Sequence, residues 1–244
     1  MTTSTSTLPT PGLPTPRTVG TVYITGGASG LGAAVVDAVL AAGGTPAVLD
    51  RVPPQQEGVA HVEVDLADSA AAEAAVARLV EQVGPPSALV TAAGTDACGP
   101  LTEIDTETWE KVVRVNLFGT VAVVRAALPH LEQARGTVVT VGSTLSLRGM
   151  SDATAYSASK FAVRGFTHAL AAEYAGRVGV TLLIPGGMRT AFFDGRTEQY
   201  KPGPDADLND PRSTAATVVT ALQQPVGSEI REMLVMASGE SSWP

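Results

Sequence analysis

Cysteine is almost missing. Cys98 is the only one in 244 residues. One thiol forms no internal disulfide and no cysteine-based metal cluster, and it suits a reducing compartment. With no histidine near it in sequence, Cys98 reads as a small residue of the loop TDACGP rather than as a nucleophile. Histidine is scarce too. His61, His130 and His168 are scattered and make no metal-binding spacing, so no metal is expected. Positive charge is outnumbered, with 16 Lys and Arg against 24 Asp and Glu and a net charge of −8. That sign repels phosphate backbones and anionic headgroups, so neither nucleic acid nor a membrane is an expected partner. No apolar run approaches the ~20 residues of a membrane span. The first residues have neither a basic start nor an apolar h-region, so no secretory signal is read and the expected location is cytoplasmic.

Residues 1–18, MTTSTSTLPTPGLPTPRT, are rich in Thr and Pro, cannot build a core, and read as a disordered or extended tail. Residues 19–244 read as one domain. Short apolar segments at 21–25, 45–50, 59–66, 87–94, 136–143 and 178–187 predict strands, with a last one in EMLVMA. Helical patterns fill the spaces between them, over LGAAVVDAVLAAG, 68–84, 106–134, ATAYSASKFAVRGFTHALAAEYAG and PRSTAATVVTALQQ. Strands that are apolar throughout, alternating with helices, predict an α/β fold: a single Rossmann-type, doubly wound parallel sheet with helices on both faces. The ligand crevice of such a sheet lies at the carboxyl ends of its strands. Residues 188–210, rich in Gly, Pro and Asp, read as a long substrate loop or lid.

The first strand runs into TGGASGLG, residues 25–32, and then a helix. Gly26, Gly30 and Gly32 permit a tight turn and close backbone approach, and the helix N-terminus offers N–H groups to an anion such as a pyrophosphate. Asp50 closes the second strand. A carboxylate there accepts hydrogen bonds from the ribose hydroxyls of an adenosine and repels a 2′-phosphate, which points to NAD, with NADP the less favoured cofactor. Arg51 beside it softens that discrimination, and Ser29 adds no positive charge for a 2′-phosphate.

TGGASGLG, TAAG at 91–94, VNLFG at 115–119, VGS at 141–143, YSASK at 156–160 and PGGMRT at 185–190 follow one another in that order. Together they resemble the short-chain dehydrogenase/reductase family. The resemblance implies Tyr156 as general acid/base, Lys160 as the residue that lowers its pKa and holds the nicotinamide ribose, Ser143 on the substrate oxygen, and Asn116 holding a water in a proton relay. It implies that Gly26, Ser29, Gly30, Leu31 and Gly32 hold the phosphates and that Asp50, Arg51, Asp65 and Leu66 border the adenosine. Ala92, Ala93 and Gly94 would line the trench, and Pro185, Gly186, Met188 and Thr190 would frame the carboxamide. The spacing itself supports the central pair, since positions i and i+4 share a helix face and an ammonium beside a phenol favours phenolate. The three small residues between them leave room for substrate and cofactor.

Two stretches depart from the family pattern. TAAG replaces the frequent Asn-Asn-Ala-Gly, so Thr91 and Ala92 lack the amide hydrogen bonds that steady the central strand, and LVMASGESSWP replaces the usual carboxyl-terminal segment. Around the substrate, residues 144–150, Thr95, Asp96 and residues 188–205 are expected. Leu145, Leu147, Met150, Phe192 and Phe193 would give an apolar pocket, and Arg148, Arg189 and Arg196 are read as solvated loop charges in preference to carboxylate binders. The expected activity is interconversion of a secondary alcohol and a ketone, by a homodimer or homotetramer as the resemblance implies. The alternatives are a cofactor-retaining epimerase or dehydratase, and a non-catalytic NAD-binding sensor on the same fold.

Overall fold

The computed structural model describes residues 15–240 and 243. Most of the expected tail, residues 1–14, lies outside the described residues. Arg17 is already docked: its N–H donates to Gln223 O and its guanidinium to Arg135 O.

Seven strands form one parallel sheet: β1 (Thr21–Thr25), β2 (Thr45–Asp50), β3 (Ala60–Glu63), β4 (Ala88–Thr91), β5 (Thr137–Val141), β6 (Gly179–Pro185) and β7 (Glu232–Val235). Their order is β3-β2-β1-β4-β5-β6-β7. The connections reverse direction between β1 and β4, and at this reversal a crevice opens beyond the strand ends. Helices cover both faces: α1 (Gly30–Ala41), α2 (Ser69–Val83), α3 (Thr106–Val113), α4 (Thr120–Ala134), α5 (Thr154–Glu173) and α6 (Pro211–Leu222).

Both faces of the sheet are apolar because each strand alternates between two buried sides. Val22 and Ile24 of β1 pack into a core with Val35, Val36 and Val39 of α1 and Val218 and Leu222 of α6. Tyr23, between them, points the other way, into a core with Leu79 of α2 and Leu131 of α4. Its hydroxyl reaches Gly84 O, which satisfies the one polar atom this side chain carries.

Several predicted boundaries shift, three of them informatively. β3 ends at Glu63 instead of 66, since Asp65 Oδ1 accepts the Ala67 N–H and turns the chain toward α2, which Asp68 caps. The fourth strand stops at Thr91, and residues 92–94 leave the sheet. The helical stretch 106–134 is interrupted by a π-helical turn, Arg114–Gly119, which carries Asn116. That stretch is long and apolar enough to cross a membrane by length and composition, but half of its most apolar window is packed inside the fold. Residues 190–202 are irregular apart from two short 3-10 turns, Ala191–Phe193 and Glu198–Tyr200.

Candidate active site

A trench of about 1170 Å³ runs along the carboxyl ends of the strands. Every residue of the expected cofactor set lines it except Gly32. Gly26 has a φ of +70°, and a Cβ there would stand 2.7 Å from Ala93 Cα, so the turn lies directly on the chain leaving β4. Gly32 serves packing instead of contact. Its Cβ would lie 2.0 Å from Gly26 O, so only glycine lets α1 close against the turn. α1 begins at Gly30 without a side-chain cap, whereas α2, α3 and α6 are capped by Asp68, Asp105 and Asp210. Its first N–H groups are left to the trench. Asp50 borders the trench and also braces the turn, with Oδ2 accepting the Ala28 N–H at 3.0 Å.

Ser143, Tyr156 and Lys160 come together in the same trench. Ser143 follows β5, and its Oγ accepts the Leu145 N–H and hydrogen-bonds the Tyr156 phenol. Lys160 is 4% exposed, its Nζ donating to Val141 O at 2.9 Å and standing 5.6 Å from the centre of the Tyr156 ring. The electrostatics differ from expectation. Burial pushes the Tyr156 phenol up to about 12, against the hydrogen bond from Ser143, which pulls it down. Burial also lowers Lys160 to about 8, with Asp96 opposing that fall. In the protein alone, burial of each group outweighs the charges and hydrogen bonds around it.

Asn116 does not line the trench. Its amide is committed to backbone and hydroxyl, with Oδ1 accepting from Thr95 N and Nδ2 donating to Thr95 O and Ser159 Oγ. It clamps the chain leaving β4 to the π turn and α5. A Cβ at Gly94 would stand 3.5 Å from Asn116 Oδ1 and 3.7 Å from Lys160 Nζ, so the missing side chain leaves a polar gap between amide and ammonium.

The substrate end is apolar in part. Leu145, Met150, Phe192 and Phe193 line it, while Leu147 and Arg148 do not. Arg189 turns its guanidinium to Leu208 O. Arg196 is not a solvated loop charge: it pairs with Asp96 and lies over the rings of Phe192 and Phe193. Cys98 borders the trench, with its thiol donated to Asp96 Oδ2 and pushed up to about 11 by burial and that carboxylate, so it stays protonated. Sequence reasoning missed Glu240, whose carboxylate lines the trench and accepts the Gly187 N–H at 2.8 Å. The unusual carboxyl-terminal segment thus meets the Gly186–Gly187 turn, and a Cβ at Gly186 would touch both Met236 and Glu240. A contact across 53 residues leaves no periodic trace in the sequence.

Fold and trench together define a doubly wound α/β protein of the dinucleotide-binding kind. The model of the short chain dehydrogenase family matches residues 20–201. The chain belongs to that family of oxidoreductases, whose cofactors are NAD or NADP. It is 31% identical over 228 residues to a short chain dehydrogenase of Pseudocercospora fijiensis, covering 88% of this chain and 68% of that one. It is 32% identical over 182 residues to 2-(S)-hydroxypropyl-CoM dehydrogenase 3 of Xanthobacter autotrophicus, covering 68% and 70%. Among solved structures, an alcohol dehydrogenase from Thermococcus sibiricus complexed with 5-hydroxy-NADP superposes with a TM-score of 0.80 at 23% identity, over 90% of this chain and 97% of that one.

Proposed function

We propose that the protein moves hydride between a secondary alcohol or ketone and a nicotinamide dinucleotide, NAD in preference to NADP, with Tyr156 as general acid/base. The grouping of Ser143, Tyr156 and Lys160 in one trench with the glycine turn carries this reading. The residues fit a dinucleotide. The uncapped start of α1 and the Cβ-free surface of Gly30 suit a pyrophosphate. Asp50 offers carboxylate oxygens at the edge where a ribose would lie, and its charge disfavours a 2′-phosphate there.

Bound in the trench, the nicotinamide supplies the hydride acceptor or donor. The chain's own residues manage the proton and the position. Ser143 Oγ holds the substrate oxygen and steadies the charge that grows on it. Tyr156 takes the hydroxyl proton in oxidation and returns it in reduction. A phenol at about 12 is a poor base near neutrality, so proton removal needs added positive charge beside it. Lys160 contributes from one turn away, and an oxidised nicotinamide would add its own charge. The gap between Asn116, Gly94 and Lys160 suits a water that carries the proton outward.

The test follows reduced-nicotinamide absorbance with NAD or NADP over a panel of secondary alcohols. Turnover is expected, faster with NAD, and Tyr156→Phe lowers kcat by about 10³-fold or more while dinucleotide binding persists. A variant that keeps its turnover overturns the assignment of Tyr156.

A further inference from the structure

The Tyr156 phenol is enclosed by four parts of the chain. The end of β5 brings Ser143, and the loop after β4 brings Asp96 and Cys98. The segment 190–202 brings Phe192, whose ring centre is 5.7 Å from that of Tyr156, and Arg196. The next turn of α5 brings Lys160. Asp96 opposes ionisation of the phenol and Arg196 favours it, while Cys98, held protonated, brings no charge of its own.

Asp96 is a carboxylate with 6% of its side chain exposed. One oxygen accepts the Ala97 N–H, and the other accepts both the Cys98 thiol and Arg196 Nη2. Arg196 is 20% exposed, with its guanidinium carbon 5.4 Å and 4.6 Å from the ring centres of Phe192 and Phe193 and its Nη1 on Tyr200 O. Two segments 100 residues apart in sequence are therefore joined by one buried ion pair, and Phe192 links it to the active site, its ring lying between the Arg196 guanidinium and the Tyr156 ring. A carboxylate this buried, left alone, makes phenolate harder to form, and removing one partner of such a pair is costly.

We propose that Asp96 and Arg196 are a positioning pair for the Tyr156 reaction: their ion pair fastens residues 190–202 to the loop after β4, and it closes the site in the one arrangement where the Asp96 charge is cancelled beside the phenol. The proposal rests on Tyr156 being the acid/base. When the segment lifts to exchange substrate, Arg196 leaves with it and Asp96 stands uncompensated. Proton removal is then tied to closure, and the open site keeps the phenol protonated, unable to act as the base of alcohol oxidation.

Arg196→Met, Asp96→Asn and the double variant of the full chain test this with two readouts. The first is the pH profile of kcat/KM for alcohol oxidation, which rises as the phenol loses its proton. Arg196→Met moves the rise to higher pH by about one unit, Asp96→Asn moves it lower by a similar amount, and the double variant returns toward the parent. A purely structural role would impair all three without opposite shifts. The second is hydrogen exchange of residues 190–202, which quickens in each single variant and no further in the double. Turnover that Tyr156→Phe abolishes, with unmoved or same-sign pH profiles, overturns the pair and leaves the function standing. Exchange unchanged in both single variants also overturns the pair. Coupled exchange in a protein without turnover upholds the fastening and overturns the acid/base reading.

Discussion

Lys160 sits where a lysine destabilises the fold. Its ammonium is buried and bonded to one carbonyl, so its pKa falls from 10.5 to about 8. The folded chain gives up this proton more readily than the unfolded one, so the penalty is complete below about pH 8 and vanishes as pH rises past 10.5. Lys160→Met is expected to stabilise the protein alone by about 2 kcal/mol at pH 7, after allowing for the lost bond to Val141 O, and to abolish turnover. Thermal melts at pH 7 and pH 10 check the sign, since the gain must shrink at the higher pH. Thr91 is a second costly position. Its Oγ1 is buried in β4 with no partner among the described residues. Thr91→Val should add about 1 kcal/mol and a few degrees of Tm, and unchanged or lower stability in chemical denaturation would refute the idea. Ser143, Tyr156 and Lys160 were legible in the sequence because their order along the chain is distinctive and the last two are one helical turn apart. The Asp96–Arg196 pair and the bracing of the Gly186–Gly187 turn by Glu240 were not. Both contacts join segments far apart in sequence, and neither obeys a helix or strand period, so only the folded chain brings them together.

At the scale of elements, the junction of β1 and α1 depends on two glycines with different duties. Gly26 needs its left-handed backbone and its closeness to Ala93, while Gly32 lets the helix rest on the turn. Gly32→Ala places a methyl 2.0 Å from Gly26 O, and it should cost about 3 kcal/mol or more and weaken dinucleotide binding with it. Gly195→Ala, with open space around its Cβ position, is the control and should change stability by less than about 0.5 kcal/mol. Urea denaturation of both variants reads the difference. Strand and helix order was legible because buried strands are apolar throughout and helices between them are not. Ends were less so. β3 stops early because a side chain, Asp65, captures a backbone N–H, and the π turn at Arg114–Gly119 follows from the clamp of Asn116 on Thr95 rather than from any local pattern.

For the whole molecule, the expectation is a homo-oligomer. Phe118, in the π turn, is 50% exposed and Phe161, on α5, is 44% exposed, two aromatic rings that a subunit contact would cover. Light scattering should give the mass of a dimer or tetramer, and Phe118→Asp with Phe161→Asp should lower that mass while circular dichroism stays unchanged. A parent protein that runs as a monomer refutes the expectation. The sheet's strand order carries a different consequence, for synthesis. After β1, two strands add outward on one flank and four add outward on the other, so no strand must be wedged between two already paired. A chain leaving the ribosome amino end first keeps each pairing it makes. The glycine turn is finished once β4 and Ala93 arrive, well before Ser143, Tyr156 and Arg196 exist. The nascent protein therefore owns its glycine turn before it owns Ser143, Tyr156 or Lys160.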